Sequence, residues 1–376
     1  MKPSRSSLFF LQTLLALPLI LWLAGCETTR SASGGSRKTA AASLAAAPAN
    51  EFRGAWIYDP RRYDPEEVMS DLKKAGMNAV FVRLSSAGAA YYPSSVLPKA
   101  PDTRIDYARA YADAGRRHGI KVHAWHVCFM MHYAPASAVK NAIKKGEVMR
   151  DPKGRAIRPT YNVPVRTPAC EINRSLERRA AAELVSKYPL DGVQLDYVRY
   201  FSPSVDFSAT SRARFERSQK IKVKRWPADV VSGSLRDEYH EFRTELLTSL
   251  VGEISHAVKA ANPKAKVSAA VWHSPDVGRR DYAQDWVRWM KLGYLDFVVP
   301  MNYTSDEDRL EDWLEEQRGL AGNGVPVYCG LGSYMLNQPR QLNNQINLCR
   351  NMGMPGYVLY NYDERLKNRF LPELPN

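Results

Sequence analysis

From residue 52 onward the chain alternates between two hydrophobic rhythms. Short runs rich in β-branched and aromatic residues predict eight strands: RGAWIY (53–58), NAVFVRLS (78–85), KVHAWHVCF (121–129), GVQLDYVRY (192–200), KVSAAVW (266–272), LDFVVPMNY (295–303), PVYCGLG (326–332) and GYVLYNY (356–362). After each of the first seven comes a stretch of helical period. In 64–76, Asp64 can cap, Pro65 suits the first turn, Gly76 ends the helix, and Val68, Leu72 and Ala75 share one face. The other helices are predicted at 106–119, 175–188, 234–261 (stopped by Asn262-Pro263), 283–293, 307–321 and 339–352. Eight strands alternating with helices predict an α/β fold, a (β/α)8 TIM barrel, with long loop insertions after strands 3 and 4. The first insertion, 130–172, has no strong periodic segment and is too long for a plain connector. A doubly wound sheet is the competing architecture, but no glycine-rich phosphate fingerprint follows the first strand.

The segment before residue 52 follows neither rhythm. Residues 1–26 have a basic start, a long apolar run and a small-residue exit, as a secretory signal has. The exit Leu23-Ala24-Gly25-Cys26 resembles the lipobox of bacterial lipoproteins, which implies removal of residues 1–25 and lipidation of Cys26. A plain transmembrane anchor is the alternative, since the run is nearly long enough to span a bilayer. Glu27, in place of an aspartate, points to the outer membrane facing the periplasm. Residues 26–50 are rich in Ser, Ala and Gly and read as a flexible tether to a barrel domain at 51–376. The net charge of +14 suits nucleic acid, a membrane or an acidic polymer; export argues against nucleic acid. Cys128, Cys170, Cys329 and Cys349 allow three disulfide pairings, contain no CxxC pair, and read as buried thiols.

In a barrel, chemistry sits at the C-terminal ends of the strands. Those ends carry Tyr58, Arg83, His123, His126, Gln194, Asp196, Arg199, Trp272, Asn302, Tyr303 and Tyr360, a mixture of flat rings and hydrogen-bonding groups that suits a carbohydrate groove. Within LDGVQLDYVRY (190–200), strand alternation puts Gln194 and Asp196 on the inward face and Val193, Leu195 and Tyr197 against the helices. A carboxylate inside a barrel is costly unless paired or needed. Asp196 is therefore the candidate catalytic acid, and a structural ion pair with Arg83 or Arg199 is its bland alternative. Glycosidic cleavage ordinarily uses two carboxyl groups. For the second, Asp363 beyond strand 8 comes first, followed by Asp276 and Asp281. The chemistry requires no metal or other cofactor. A sugar N-acetyl group serving as internal nucleophile would leave Gln194 or Tyr303 an orienting role.

FRGAWI, NAVFVRLSSAGAAYYPS, GIKVHAWH, LDGVQLDYVRY, QDWVRWMKLGYLDFVVPMNY and GYVLYNYDE occur in the order and spacing of the glycosyl-hydrolase-like family 10 proteins, which this chain resembles from Phe52 to Glu364. The resemblance implies a barrel lipoprotein of the cell envelope acting on a glycan polymer such as peptidoglycan strands. It places the family's strand 4 acid on Asp196, its strand 2 arginine on Arg83, its strand 3 HAW motif on His123-Ala124-Trp125 and its strand 6 tyrosine on Tyr303. Two family acids are replaced here, by Ala89 and Tyr197. A distant likeness to family 18 chitinases places Tyr303 and Tyr360 at a sugar subsite, with Val198 where their glutamate acid stands. The functional reading is a polysaccharide hydrolase; the rival is a non-catalytic glycan-binding lipoprotein on the same barrel.

Overall fold

The computed structural model describes residues 48 and 50–374, apart from 160–161 and 321–323. The signal segment, Cys26 and the tether to residue 47 lie outside the described residues. Eight parallel strands close into a barrel in sequence order: β1 (Phe52–Ile57), β2 (Ala79–Ser86), β3 (Lys121–Val127), β4 (Gly192–Asp196), β5 (Lys266–Val271), β6 (Phe297–Asn302), β7 (Cys329–Gly332) and β8 (Gly356–Tyr360). β8 pairs with β1, and Arg350 meets Glu51 at 2.9 Å beside that seam, so an ion pair nearly 300 residues apart in sequence joins the two ends of the barrel.

The helices form where the period predicts them. In the first, Pro65–Lys74, Asp64 accepts hydrogen bonds from the amides of Glu66 and Glu67, Val68, Met69 and Leu72 are buried against the sheet, and Gly76 takes the positive φ that ends the turn. β2 is buried along its whole length, since one face meets the barrel interior and the other the helices.

Both insertions carry more structure than the sequence pattern suggests. The first holds a helix, Ala136–Lys144, over a small core of Met131, Ala142 and Val148. The second holds Ala209–Gln219 and Ala228–Val231, packed with the long helix Arg236–Ala261 around Phe207, Phe215, Tyr239 and Phe242. Asp206 ties them together, accepting from the Arg150 amide at 2.8 Å and from the Ser211 hydroxyl at 2.6 Å. The first insertion is thus a packed subdomain with its own apolar core and not a bare loop. Cys128, Cys329 and Cys349 are buried free thiols, while Cys170 is half-buried and also free.

Candidate functional site

Inward positions along the strands stack in layers. At the N-terminal end, Phe52 lies on Tyr328 with centroids 4.2 Å apart, and the His123 ring sits 5.0 Å from Phe81 and 5.5 Å from Phe297. Burial pushes the His123 imidazole down to about 3, so it stays neutral. His123 is therefore part of the apolar plug below the active face and does not line the mouth. Its place two residues before Trp125 on β3 sets it one layer too deep.

The middle layer joins Trp56 to Gln194, with the indole Nε1 donating to Gln194 Oε1 at 2.5 Å. Both side chains are buried, so Gln194 supports the floor of the mouth without lining it. The Trp56 ring in turn meets Tyr360 edge-on at 5.9 Å.

Above this floor lies Asp196. Its Oδ2 accepts from Trp125 Nε1 at 3.0 Å and its Oδ1 from the Tyr197 amide at 2.6 Å. The second bond exists because Tyr197 adopts a left-handed conformation, φ 54°, which ends β4 at Asp196 and turns the next amide back to the carboxylate. Tyr197 consequently leaves the helix-facing side assigned to it by alternation and packs beside Phe201 at the rim, 5.6 Å between centroids. Burial raises the Asp196 carboxyl to about 6, against the opposing pull of the Tyr197 amide, the Arg199 charge, the Trp125 hydrogen bond and the Arg83 charge. Among the described residues Asp196 has no ion-pair partner. The structural pair with Arg83 or Arg199 is therefore not formed, although both charges reach it.

The walls of this bowl are aromatic. Tyr303 stacks on Tyr360 at 5.4 Å and meets Tyr334 edge-on at 5.9 Å. Gly332 permits that approach, since a Cβ there would fall 3.1 Å from both Tyr303 and Tyr334 atoms. Burial, then the charges of Tyr360 and Asp196, hold the Tyr303 phenol well above its usual range, so it remains a hydrogen-bond donor. On the opposite side the Arg83 guanidinium lies 3.9 Å over the Tyr58 ring and donates to the Tyr91 hydroxyl at 3.0 Å. Arg199 lies among Tyr197, Phe201, Trp272 and Tyr282, each ring centroid 4.9–5.8 Å from its guanidinium carbon.

Two proposed contacts face the wrong way, and strand parity explains both. His126 alternates with the inward Trp125, so its Nε2 meets Glu177 Oε2 at 2.6 Å on the helix Glu171–Lys187, and its Nδ1 meets the Ser85 hydroxyl at 2.7 Å. Asn302, adjacent to the inward Tyr303, exchanges two hydrogen bonds with Gln317 on the helix Glu307–Leu320. Neither reaches the mouth. His126, Cys128 and Glu177 bring three ligand atoms within 4.8 Å of one another, but the imidazole nitrogens and the carboxylate are already taken up by hydrogen bonds in a sealed interior.

The second carboxylate is not where the chain order suggests. Asp363 caps the closing helical turn, its Oδ1 accepting from the Leu366 amide at 2.8 Å, and Asp281 pairs with Arg280 at 2.9 Å. Asp276 sits in the first turn of the helix Pro275–Tyr282. The acid that sequence reasoning misses is Asp59, one residue past Tyr58. Burial pushes it upward, but hydrogen bonds from Arg61 and the charges of Arg61 and Arg83 outweigh that and hold it ionised below the usual range. Tyr91, Tyr282 and Tyr334 are missed as well. They lie outside the eight strands, on the segments that follow β2, β5 and β7, where no strand alternation marks which side chains turn toward the mouth.

The arrangement is one protonatable carboxyl at the bottom of a ring-lined bowl with two guanidiniums beside it. It can stack sugar faces and deliver a proton. A family model described as glycosyl hydrolase-like 10 matches residues 48–347. The chain is 21% identical to the glycosyl hydrolase DigH of Escherichia coli, over 87% of this chain and 84% of that protein. It is 22% identical to the glycosyl hydrolase YngK of Bacillus subtilis, over 76% of this chain and 60% of the relative. Among solved structures, the PgaB (BpsB) glycoside hydrolase domain of Bordetella bronchiseptica superposes with a TM-score of 0.65 at 17% identity, covering 85% of this chain and 95% of that domain.

Proposed function

Because the chain belongs to the glycosyl hydrolase-like 10 family, we propose that it is a cell-envelope glycoside hydrolase that cuts peptidoglycan glycan strands, with Asp196 as the proton donor. The observation that carries this reading is a single buried carboxyl, raised to about 6, at the floor of an aromatic bowl on the catalytic end of a barrel. A group with that affinity is partly protonated near neutrality and able to give its proton to a leaving glycosidic oxygen. Tyr303, kept protonated beside it, orients an N-acetyl group of the sugar, whose carbonyl oxygen attacks the anomeric carbon as the glycosidic bond breaks. Asp59, held charged by Arg61, supplies fixed negative charge at the rim.

The test is incubation of the full-length protein with peptidoglycan stripped of its peptides, with fragments followed by mass spectrometry across pH 4.5–8, on the order of two units either side of the Asp196 value. A new saccharide ladder is expected, and its rate should fall as pH rises through about 6, because only the protonated carboxyl donates. A rate that instead climbs through that range would make Asp196 a base. Co-sedimentation with the polymer and no products would leave a glycan-binding protein.

We propose that Cys26 carries lipid and that Glu27 directs the protein to the outer membrane, facing the periplasm. A clickable fatty-acid analogue fed to cells should label the wild type and leave Cys26→Ala unlabelled. Equal labelling of both would overturn the assignment.

A further inference from the structure

The bowl contains more positive charge than its own carboxylates neutralise. Arg199 is 6% exposed and Arg83 is 3% exposed, and neither is in an ion pair among the described residues. The carboxylates nearby are committed elsewhere: Asp59 to Arg61 at 2.8 Å, and Asp281, next to Tyr282, to Arg280 at 2.9 Å. Asp196 is held partly protonated by its own burial. A buried cation is costly unless an anion or a full set of acceptors meets it.

Arg83 is partly provided for, by the Tyr58 face and the Tyr91 hydroxyl. Arg199 is not. Among the described residues its one side-chain hydrogen bond is a long one, 3.4 Å from Nη1 to the Tyr200 carbonyl, and its Nε meets no acceptor there. The rings of Tyr197, Phe201, Trp272 and Tyr282 stabilise the plane of the guanidinium from their faces but accept nothing in that plane. What remains is a rigidly held fork of N–H donors, the shape that a carboxylate meets with two parallel hydrogen bonds. Arg199 follows Asp196 by three residues and its charge reaches that carboxyl, so a carboxylate bound there shares the bowl with the candidate acid.

Resting on the glycan-hydrolase reading above, we infer that Arg199 is an anion subsite of the bowl and receives a carboxylate carried by a sugar beside the scissile linkage. The substrate class is then an acidic glycan. Neutral β-linked amino-sugar polymers, which would leave the guanidinium buried and unmatched, are poor ligands.

The test uses two forms of one polymer. Peptide-stripped peptidoglycan strands carry a lactyl carboxylate on every second sugar, and carbodiimide coupling to methylamine converts it to a neutral amide of similar size. Affinities are measured with the full-length protein carrying Asp196→Asn, so that the strands stay uncut. Amidation should weaken binding by roughly tenfold or more, the scale of a lost charge-assisted contact. Added to that background, Arg199→Gln should bind native and amidated strands alike, and Arg199→Lys should recover part of the preference. Equal affinity of the Arg199-containing protein for the two strands would overturn the anion subsite while leaving the glycan reading intact. So would a preference for native strands that survives Arg199→Gln. Failure to bind either strand would remove the glycan reading, and the subsite with it. Binding of amidated strands by Arg199→Gln also shows that the variant is folded.

Discussion

Asp196→Asn is expected to lower turnover by at least about a hundredfold, the scale of losing a positioned acid, and at the same time to make the protein more stable above pH 6. The two effects have one cause. The folded protein holds this carboxyl at about 6, whereas in the unfolded chain it titrates near 3.9, as exposed aspartates do. Folding therefore favours the protonated form. The wild type is at its relative best below about pH 4, where the group is neutral in both states, and loses stability as the pH rises through 6. By pH 8 the buried charge costs on the order of 2–3 kcal/mol. Asparagine never ionises, so the variant should match the wild type at pH 4 and exceed it at pH 8. It also keeps an oxygen for the Tyr197 amide or for the indole of Trp125. Thermal melts at the two pH values, with product formation on the same preparation, check both halves. A variant that melts earlier at pH 8 would mean the carboxylate is structurally paired, and a fully active one would mean it does no chemistry.

The largest loss of stability should come from a residue outside the mouth. Glu177, on the helix behind β3, accepts from His126 Nε2 at 2.6 Å and from the Phe129 amide at 2.9 Å, and Ser85 completes the chain at His126 Nδ1. Ser85, His126 and Glu177 are all fully buried. Glu177→Ala leaves two buried donors without acceptors and opens a void. Removing one member of such a network costs about 3–5 kcal/mol, which for a chain of this length lowers the melting temperature by roughly 10 °C. Glu177→Gln, which retains one carbonyl oxygen, should lose clearly less. Because the Cys128 amide bonds the Asp196 carbonyl at 2.8 Å, the same network also fixes the end of β4. A melting temperature unchanged in Glu177→Ala would show that the network contributes nothing.

The architecture was legible in the chain because it is written in local periods. A repeat of two marks the strands and one of about 3.6 the helices, and their alternation, repeated eight times, leaves few topologies besides a closed barrel. Strand alternation singled out Asp196 and the strand ends offered Arg83 and Tyr303; family motifs fell on the same three, and the structure brings them to one bowl. Parity also contained more than was drawn from it: His123 and His126 differ by an odd number of residues, so they cannot both face the interior of one regular strand, and the same holds for Asn302 and Tyr303.

Depth along a strand is a different matter. His123 and Trp125 share a face, yet one lies in the apolar plug and the other reaches Asp196, because the layer a residue occupies depends on the register and tilt of its neighbours around the barrel. The second carboxylate was illegible for a related reason. Asp363 and Asp59 both follow a strand end, and only the backbone path beyond it decides that one caps a helix while the other pairs with Arg61. The unmatched Arg199 is the least local feature of all. A sequence shows how many charges a chain carries, but which of them are buried together, and which find a counterion, is settled only when segments hundreds of residues apart are folded around the same few ångströms of low-dielectric space.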